Sequence, residues 1–221
     1  MFEPSGLEWV TVKTTLPATP YPQEEIRTTR LVLRKFRADD LQSLFEMRAQ
    51  PEVAAWTPSG KPETDIENTR SFLQKRLDGA RDKNCTFVIC LATTGEYIGH
   101  GGAHTQKGVL GWPEVGYSLR KEHWGKGYAT EFLRAFLQLW RGLPRAECEI
   151  RVDVNTVDTG CIEGDPVSER LVAITAADNK GSRSVLAKNG FGLVKIWRTD
   201  NMREEGGTID LLCYATTEFG N

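Results

Sequence analysis

The chain has 221 residues, 28 basic and 30 acidic side chains for a net charge of −2, with 39% hydrophobic and 26% charged residues. This composition can fill a core without disulfide staples and excludes fibrous and wholly disordered chains. The near-neutral charge argues against wrapping nucleic acid or an acidic membrane surface. No apolar run approaches the ~18 residues of a membrane span, and Met1-Phe2-Glu3-Pro4 lacks the basic and apolar regions of a signal peptide, so a cytoplasmic protein with no membrane partner is expected. Cys85, Cys90, Cys148, Cys161 and Cys213 are odd in number and never pair at C-x-x-C spacing. They predict reduced thiols, with neither a metal site nor a disulfide framework.

In chain order, residues 1–26 carry Pro4, Pro17, Pro20 and Pro22. That density of fixed φ and missing donors predicts an arm without a long helix or central strand, with Trp9, Val10 and Val12 able to rest on the domain. Residues 30–36 alternate as a strand, Asp39 and Asp40 cap a helix bearing Leu41, Leu44 and Phe45, and Pro51 ends it. A second helix carries Ile66, Thr69, Phe72, Leu73 and Leu77 on one stripe. Residues 85–91 and 96–102 form a hairpin around Thr94-Gly95, and 114–119 alternates as a further strand. Trp124-Gly125-Lys126-Gly127-Tyr128-Ala129-Thr130 then runs into a helix carrying Phe132, Leu133, Phe136, Leu137 and Trp140. Residues 147–168 lack rhythm and predict a long connection or extra hairpin. Residues 171–176 predict a strand, Asp178 or Asn179 starts a helix that Gly190 ends, and 191–198 pairs with 208–214.

Residues 1–26 carry −3 and residues 147–168 carry −5, which leaves +6 for the rest of a chain whose net charge is −2. Arg120, Lys121, Lys126, Lys180 and Arg183 belong to that basic remainder. It is either ordinary surface variation or a site for a polyanion. A glycine-rich turn opening a helix suits phosphate, because unpaired N–H groups converge there and the helix dipole favours negative charge. The alternative is a purely structural turn. The P-loop, the G-x-G-x-x-G fingerprint and the G-x-S-x-G elbow are all missing.

Gly116-Tyr117-Ser118-Leu119 followed by Trp124-Gly125-Lys126-Gly127-Tyr128-Ala129-Thr130-Glu131 resembles the acetyl-CoA motif of the GNAT N-acetyltransferases, in particular the RimJ/RimL-like branch. Asn179-Lys180-Gly181-Ser182 through Leu186-Ala187-Lys188-Asn189-Gly190-Phe191 is similar to that family's N-x-x-S…L-x-K-x-G-F segment, and Thr29-Arg30-Leu31-Val32-Leu33-Arg34 with Asp39-Asp40 to its opening strand and helix. The resemblance covers about residues 28–216. It implies an α/β (α+β) fold with a central, mostly antiparallel twisted sheet flanked by helices. Residues 27–221 would form one domain with an insertion at about 147–168, preceded by the arm at 1–26.

The resemblance also implies direct transfer of an acetyl group from acetyl-CoA to a primary amine in a ternary complex, with a small amine or a protein N-terminus as acceptor. No metal or nucleic acid is implied, and the chain would be a monomer or homodimer. Backbone groups of Tyr117, Ser118 and Leu119 would pair with the pantetheine arm, the Leu119 N–H would polarise the thioester carbonyl, and amides of Gly125, Lys126, Gly127, Tyr128, Ala129 and Thr130, after Trp124, would hold the pyrophosphate. Asn179 would contact CoA. The ammonium of an acceptor must lose a proton before attack, and Glu114 is the candidate base or else a salt-bridged strand carboxylate. Leu186 occupies the position where many members carry a tyrosine, so Ser182 is the candidate donor to the leaving thiolate, or else a helix-capping hydroxyl. Trp56, after the first helix, lies where the family's acceptor binds. His100, His104 and His123 are read as non-catalytic, and His123 as exposed. The alternative from a different class is a non-catalytic acyl-CoA-binding or protein-interaction module.

Overall fold

The structure, a computed structural model, describes residues 6–22, 24–78, 85–204 and 206–216. Eight strands form one sheet in the order β2-β3-β4-β5-β6-β8-β10-β9: β2 (Ile26–Arg27), β3 (Leu31–Arg34), β4 (Cys85–Leu91), β5 (Tyr97–Thr105), β6 (Glu114–Leu119), β8 (Val172–Ala176), β10 (Thr208–Thr216) and β9 (Phe191–Asp200). All neighbours are antiparallel except β6 and β8, so the mostly antiparallel sheet that the family resemblance implied is present. Helices α1 (Leu41–Arg48), α2 (Pro51–Ala54) and α3 (Ile66–Asp78) cover one face over β3–β5; α4 (Tyr128–Gly142) and α5 (Lys180–Lys188) cover the other. Pro51 does not simply stop α1. It occupies the first turn of the short α2, where a missing N–H costs nothing.

α4 is the central prop of the sheet. Phe132, Leu133, Phe136, Leu137 and Trp140 recur on one face and are all buried, each worth about 1.5–3 kcal/mol of transfer free energy. The Tyr117, Phe132, Phe136 and Trp140 rings form a continuous file with centroids 5.7–6.2 Å apart. A Cβ on Gly101 of β5 would lie 2.6 Å from the Phe132 ring, so only glycine lets α4 lie this close.

The arm expected at residues 1–26 contains a nine-residue strand, β1 (Trp9–Pro17), paired antiparallel along its whole length with β7 (Arg145–Asp153). Residues 145–153 are therefore a strand, and no hairpin forms within 147–168. Two physical reasons explain the difference. The described prolines flank β1 or end it, as Pro17 does, leaving its ladder intact. Residues 146–152 alternate Ala146, Cys148, Ile150 and Val152 with Glu147, Glu149 and Arg151, a period that the acidic residues obscured. Val10, Val12 and Val152 of this ribbon bury against Leu110, Trp112, Trp197 and Cys213, on the sheet face opposite α4 and α5. The ribbon and the α1–α3 layer thus share one face, and β6 lies between them.

Candidate functional site

β6 and β8 are neighbours but pair only at Glu114 and Val172, with the Val172 N–H donating to the Pro113 carbonyl at 2.9 Å. Beyond that point the strands separate. On its other side β6 runs against β5 with Gly99 opposite Leu119 and Gly101 opposite Tyr117, and the Arg120 N–H donates to the Ile98 carbonyl at 2.8 Å. Bonded and non-bonded pairs alternate in an antiparallel ladder. Ile98 with Arg120 is a bonded pair, so the N–H and C=O groups of Leu119 and Tyr117 turn away from β5 into the gap beside β8. The Leu119 carbonyl accepts the Trp124 indole N–H at 2.8 Å, which folds the following turn back over the end of the strand.

A cleft of about 860 Å³ fills the gap. It brings together Trp56, Glu114, Tyr117, Ser118, Leu119, Trp124, Gly125, Gly127, Tyr128, Ala129, Thr130, Asn179 and Ser182, every predicted site residue except Lys126. At one end lies the start of α4. Gly127 is its N-cap with φ +81°, a conformation that favours glycine, and no side chain caps the helix. The first intrahelical bond there runs from the Glu131 N–H to the Gly127 carbonyl, so the N–H groups just before it have no helical partner and remain available to an anion.

This turn is braced from behind by β3's flank, a feature the sequence reading missed. Arg30 donates through Nη1 to the Lys126 carbonyl at 2.9 Å and through Nε to Glu131 at 2.6 Å, and its guanidinium lies 4.7 Å from the Tyr128 ring centroid. Thr28 and the Arg30 N–H also donate to Glu131. Burial works against the charged Glu131 carboxyl, but these hydrogen bonds outweigh it and hold the group below the usual carboxylate range. Lys126 itself is exposed and contributes its carbonyl to the brace.

Across the cleft, Asn179 caps α5 by accepting the Ser182 N–H at 3.0 Å. The Ser182 hydroxyl lies 3.1 Å from the Tyr117 hydroxyl. Burial pushes the Tyr117 phenol up to about 12, with the Ser182 contact acting the other way, so it keeps its proton at neutral pH. Leu186 is buried in the core. Two hydroxyls, from β6 and α5, therefore meet in the cleft near this position.

The opposite face of β6 presents Glu114, Gly116 and Ser118. His104 Nε2 lies 3.4 Å from the Glu114 carboxylate. A second cavity of about 670 Å³ opens under α1–α3 and shares Gly116, Tyr117, Ser118, Thr57 and Pro58 with the first, so the two meet at β6. Trp56 is 40% exposed beside the first cleft, with the Arg203 guanidinium 5.6 Å from its ring. His100 is wedged between Phe36 and Phe72, its Nδ1 3.0 Å from the Tyr97 hydroxyl. Burial first, then the charges of Arg76 and Arg48 and the nearby His104, push its imidazole down to about 3.

One expectation needs correction. His123 is buried, not exposed, with Nε2 3.2 Å from Glu96 and its ring against Tyr128. Within the basic remainder, whose net +6 already counts Glu46 and Glu52, Arg120 pairs with Glu46 and Lys121 with Glu52, while Arg183 reaches the Ala177 carbonyl and Tyr214 hydroxyl. Lys126 and Lys180 remain exposed beside the two helix starts, without ion pairs among the described residues. No helix among the described residues is long and apolar enough to cross a membrane.

Residues 30–192 match the family model described as an acetyltransferase (GNAT) domain. The chain is 32% identical over 118 residues to the uncharacterized N-acetyltransferase p20 of Bacillus licheniformis, a match that covers 52% of this chain and 64% of that protein, so it spans a little under two thirds of that relative's length. In fold it is similar to the microcin C7 self immunity acetyltransferase MccE, solved with acetyl-CoA and AMP, at a TM-score of 0.65 and 18% identity over 90% of this chain and 98% of that one. It is likewise similar to RimL, a ribosomal L7/L12 alpha-N-protein acetyltransferase solved with coenzyme A, at a TM-score of 0.63 and 19% identity over 90% and 100% of the two chains.

Proposed function

The chain belongs to the GNAT acetyltransferase family, and from that membership and the split between β6 and β8 we propose that it transfers the acetyl group of acetyl-CoA to a primary amine by direct attack in a ternary complex. The split carries the reading. It exposes a row of backbone donors and acceptors at Tyr117 and Leu119 inside a sheet, where such groups are otherwise paired. It leads at one end to the uncapped start of α4, so one extended ligand with an amide-bearing arm and a pyrophosphate satisfies both features.

Acetyl-CoA, when bound, supplies an electrophilic thioester carbon. Residues 125–130 hold the pyrophosphate through backbone N–H groups, and Asn179 and Trp124 border the ligand. The Leu119 N–H, turned into the gap, donates to the carbonyl oxygen on which charge develops during attack. Glu114, supported by His104, takes the ammonium proton of the acceptor, directly or through water. The departing thiolate is met by the Tyr117 and Ser182 hydroxyls, one of which donates to it. The attacking nitrogen gives up its second proton as the tetrahedral adduct collapses, and that proton replaces the one the hydroxyl passes to the thiolate, so the products are an amide and a free thiol, with the first ammonium proton left on the base. The acceptor enters from the α1–α3 face past Trp56. It is a small amine or a protein N-terminus, and the chain works in the cytoplasm as a monomer or homodimer.

The test is calorimetric titration with acetyl-CoA together with thiol release over a panel of amines and peptides. The wild type binds acetyl-CoA. Gly127→Asp abolishes binding, because a side chain strains the left-handed backbone whose N–H groups hold the pyrophosphate, and its Cβ, 3.4 Å from Arg30 Nη2, would put a carboxylate on the arginine that braces the turn. Glu114→Gln retains binding and loses about 10²-fold or more in turnover. An acetyl-CoA complex without thiol release for any acceptor would instead favour a non-catalytic acyl-CoA-binding module, a reading supported by Leu186 at the family's tyrosine position.

A further inference from the structure

The cavity under α1–α3 holds an unusual pair of cations. Arg48 leaves the last turn of α1 and Arg76 the last turn of α3, and both line the cavity against the same ring, with guanidinium carbons 4.6 and 3.4 Å from the Phe72 centroid. Arg48 has a counter-ion in Glu63, at 3.0 Å. Burial opposes the charge on Glu63, but hydrogen bonds from Arg48, Asn68 and the Asp65 N–H hold its carboxyl down at about 2. That carboxylate is fully engaged. Arg76 makes one hydrogen bond, from Nη1 to the Phe72 carbonyl at 3.3 Å, and has no carboxylate partner among the described residues. The Nε–H groups of both arginines are buried without an acceptor among the described residues.

A buried N–H without an acceptor is costly, and an enclosed charge without a partner more so. Burial, with Arg48 adding repulsion, lowers the Arg76 guanidinium to about 10, which leaves it charged at neutral pH. His100, neutral between its two rings, offers no compensation. Among its described titratable residues the cavity presents Arg48, Lys61 and Arg76 against Glu63 alone, with His100, His104 and the neutral Tyr117 phenol at β5 and β6. The imbalance faces the side of β6 from which the acceptor amine approaches. A planar guanidinium fork matches a carboxylate or phosphate better than any neutral group.

We infer that the acceptor is an amine that also carries an oxyanion, a carboxylate or phosphate, docked on Arg76 and Arg48 while its amino group reaches Gly116–Ser118. This rests on the acetyltransferase reading and adds the substrate class. The experiment uses matched amines with and without the anion: tyrosine against tyramine, and phosphoethanolamine against ethanolamine. Each is titrated into the complex of the full chain with CoA and assayed for thiol release with acetyl-CoA. At least one anionic member should bind about 10- to 100-fold more tightly than its neutral counterpart, and which pair shows the gap distinguishes carboxylate from phosphate. Arg76→Met keeps the stem packed on Phe72; it should erase the gap by raising KM for the anionic member, while acetyl-CoA affinity and neutral amines are unaffected. Equal binding within both pairs, no binding by either anionic member, or a gap that survives in Arg76→Met overturns the inference. Should Arg76→Met fail to fold, the wild-type comparison decides alone. Failure of the wild type to bind acetyl-CoA would instead sink the acetyltransferase reading itself.

Discussion

At the scale of single residues, side chains whose roles depend on their immediate neighbours were legible. Gly127 at a helix start and Asn179 three residues before a backbone N–H it caps follow from local stereochemistry. The Tyr117 and Ser182 hydroxyls, 65 residues apart, meet only because β6 and α5 pack together, and no local pattern announces that. His100 is similar: its environment comes from α1, α3 and β5 at once, and the consequence is a pH dependence. Tyr97, Arg48, Arg76 and His104 are the polar groups around it, and burial with the nearby cations holds its imidazole at about 3 against an ordinary 6.5. Between those values the unfolded chain binds a proton that the folded chain refuses. Stability is therefore complete above pH 6.5 and declines as pH falls toward 3, by at most about 1.4 kcal/mol per pH unit from this group. Thermal melts of wild type and His100→Gln from pH 7.5 to 5 check this. The wild type should lose Tm below pH 6.5 and the variant should lose less; parallel curves would refute the assignment.

At the scale of elements, β3 through β6 and the helices α3 to α5 were readable because each carries its own period and punctuation. The split between β6 and β8 was not readable from spacing, since it is a relation between two strands more than fifty residues apart; the family resemblance implied only that backbone groups of Tyr117, Ser118 and Leu119 would be open to the pantetheine arm. The brace behind α4 belongs here too. Arg30 and Glu131 join the flank of β3 to the first turn of α4, and the Lys126 carbonyl ties the glycine turn to the same guanidinium. Glu131 is largely shielded, with 18% of its side chain exposed, and its loss leaves the Arg30 N–H and Nε–H without their acceptor and takes one of two acceptors from the Thr28 hydroxyl. Glu131→Ala should therefore weaken acetyl-CoA binding about 5- to 30-fold by loosening the turn, at a stability cost of about 1–3 kcal/mol. Calorimetry read against the melting curve separates the two effects. Unchanged acetyl-CoA affinity in a destabilised variant would show that the brace serves folding alone.

At the scale of the whole molecule, the pairing of β1 with β7 changes what the N-terminal segment is for. Sequence reading counted prolines and acidic residues and missed two alternating strands, because a ribbon whose paired residues lie 128 to 144 positions apart leaves only weak local signals. Its anchor is Asp153, fully buried, which accepts from Lys195 Nζ of β9 at 3.0 Å, from the Glu8 N–H at 3.4 Å and from the Asn155 N–H at 3.0 Å. One carboxylate thus ties the start of β1, the end of β7 and the far edge of the main sheet. Removing it strands the Lys195 ammonium, only 10% exposed, without its counter-ion. Breaking one partner of a buried pair costs about 3–5 kcal/mol, which for a chain of this size is roughly 6–20 °C in Tm. Asp153→Ala should melt earlier by that amount, whereas the double variant Asp153→Ala with Lys195→Met, which removes both charges, should recover much of the loss. Equal melting of single and double variants would mean that the ribbon is held by its valines and tryptophans alone, with Asp153 merely along its edge.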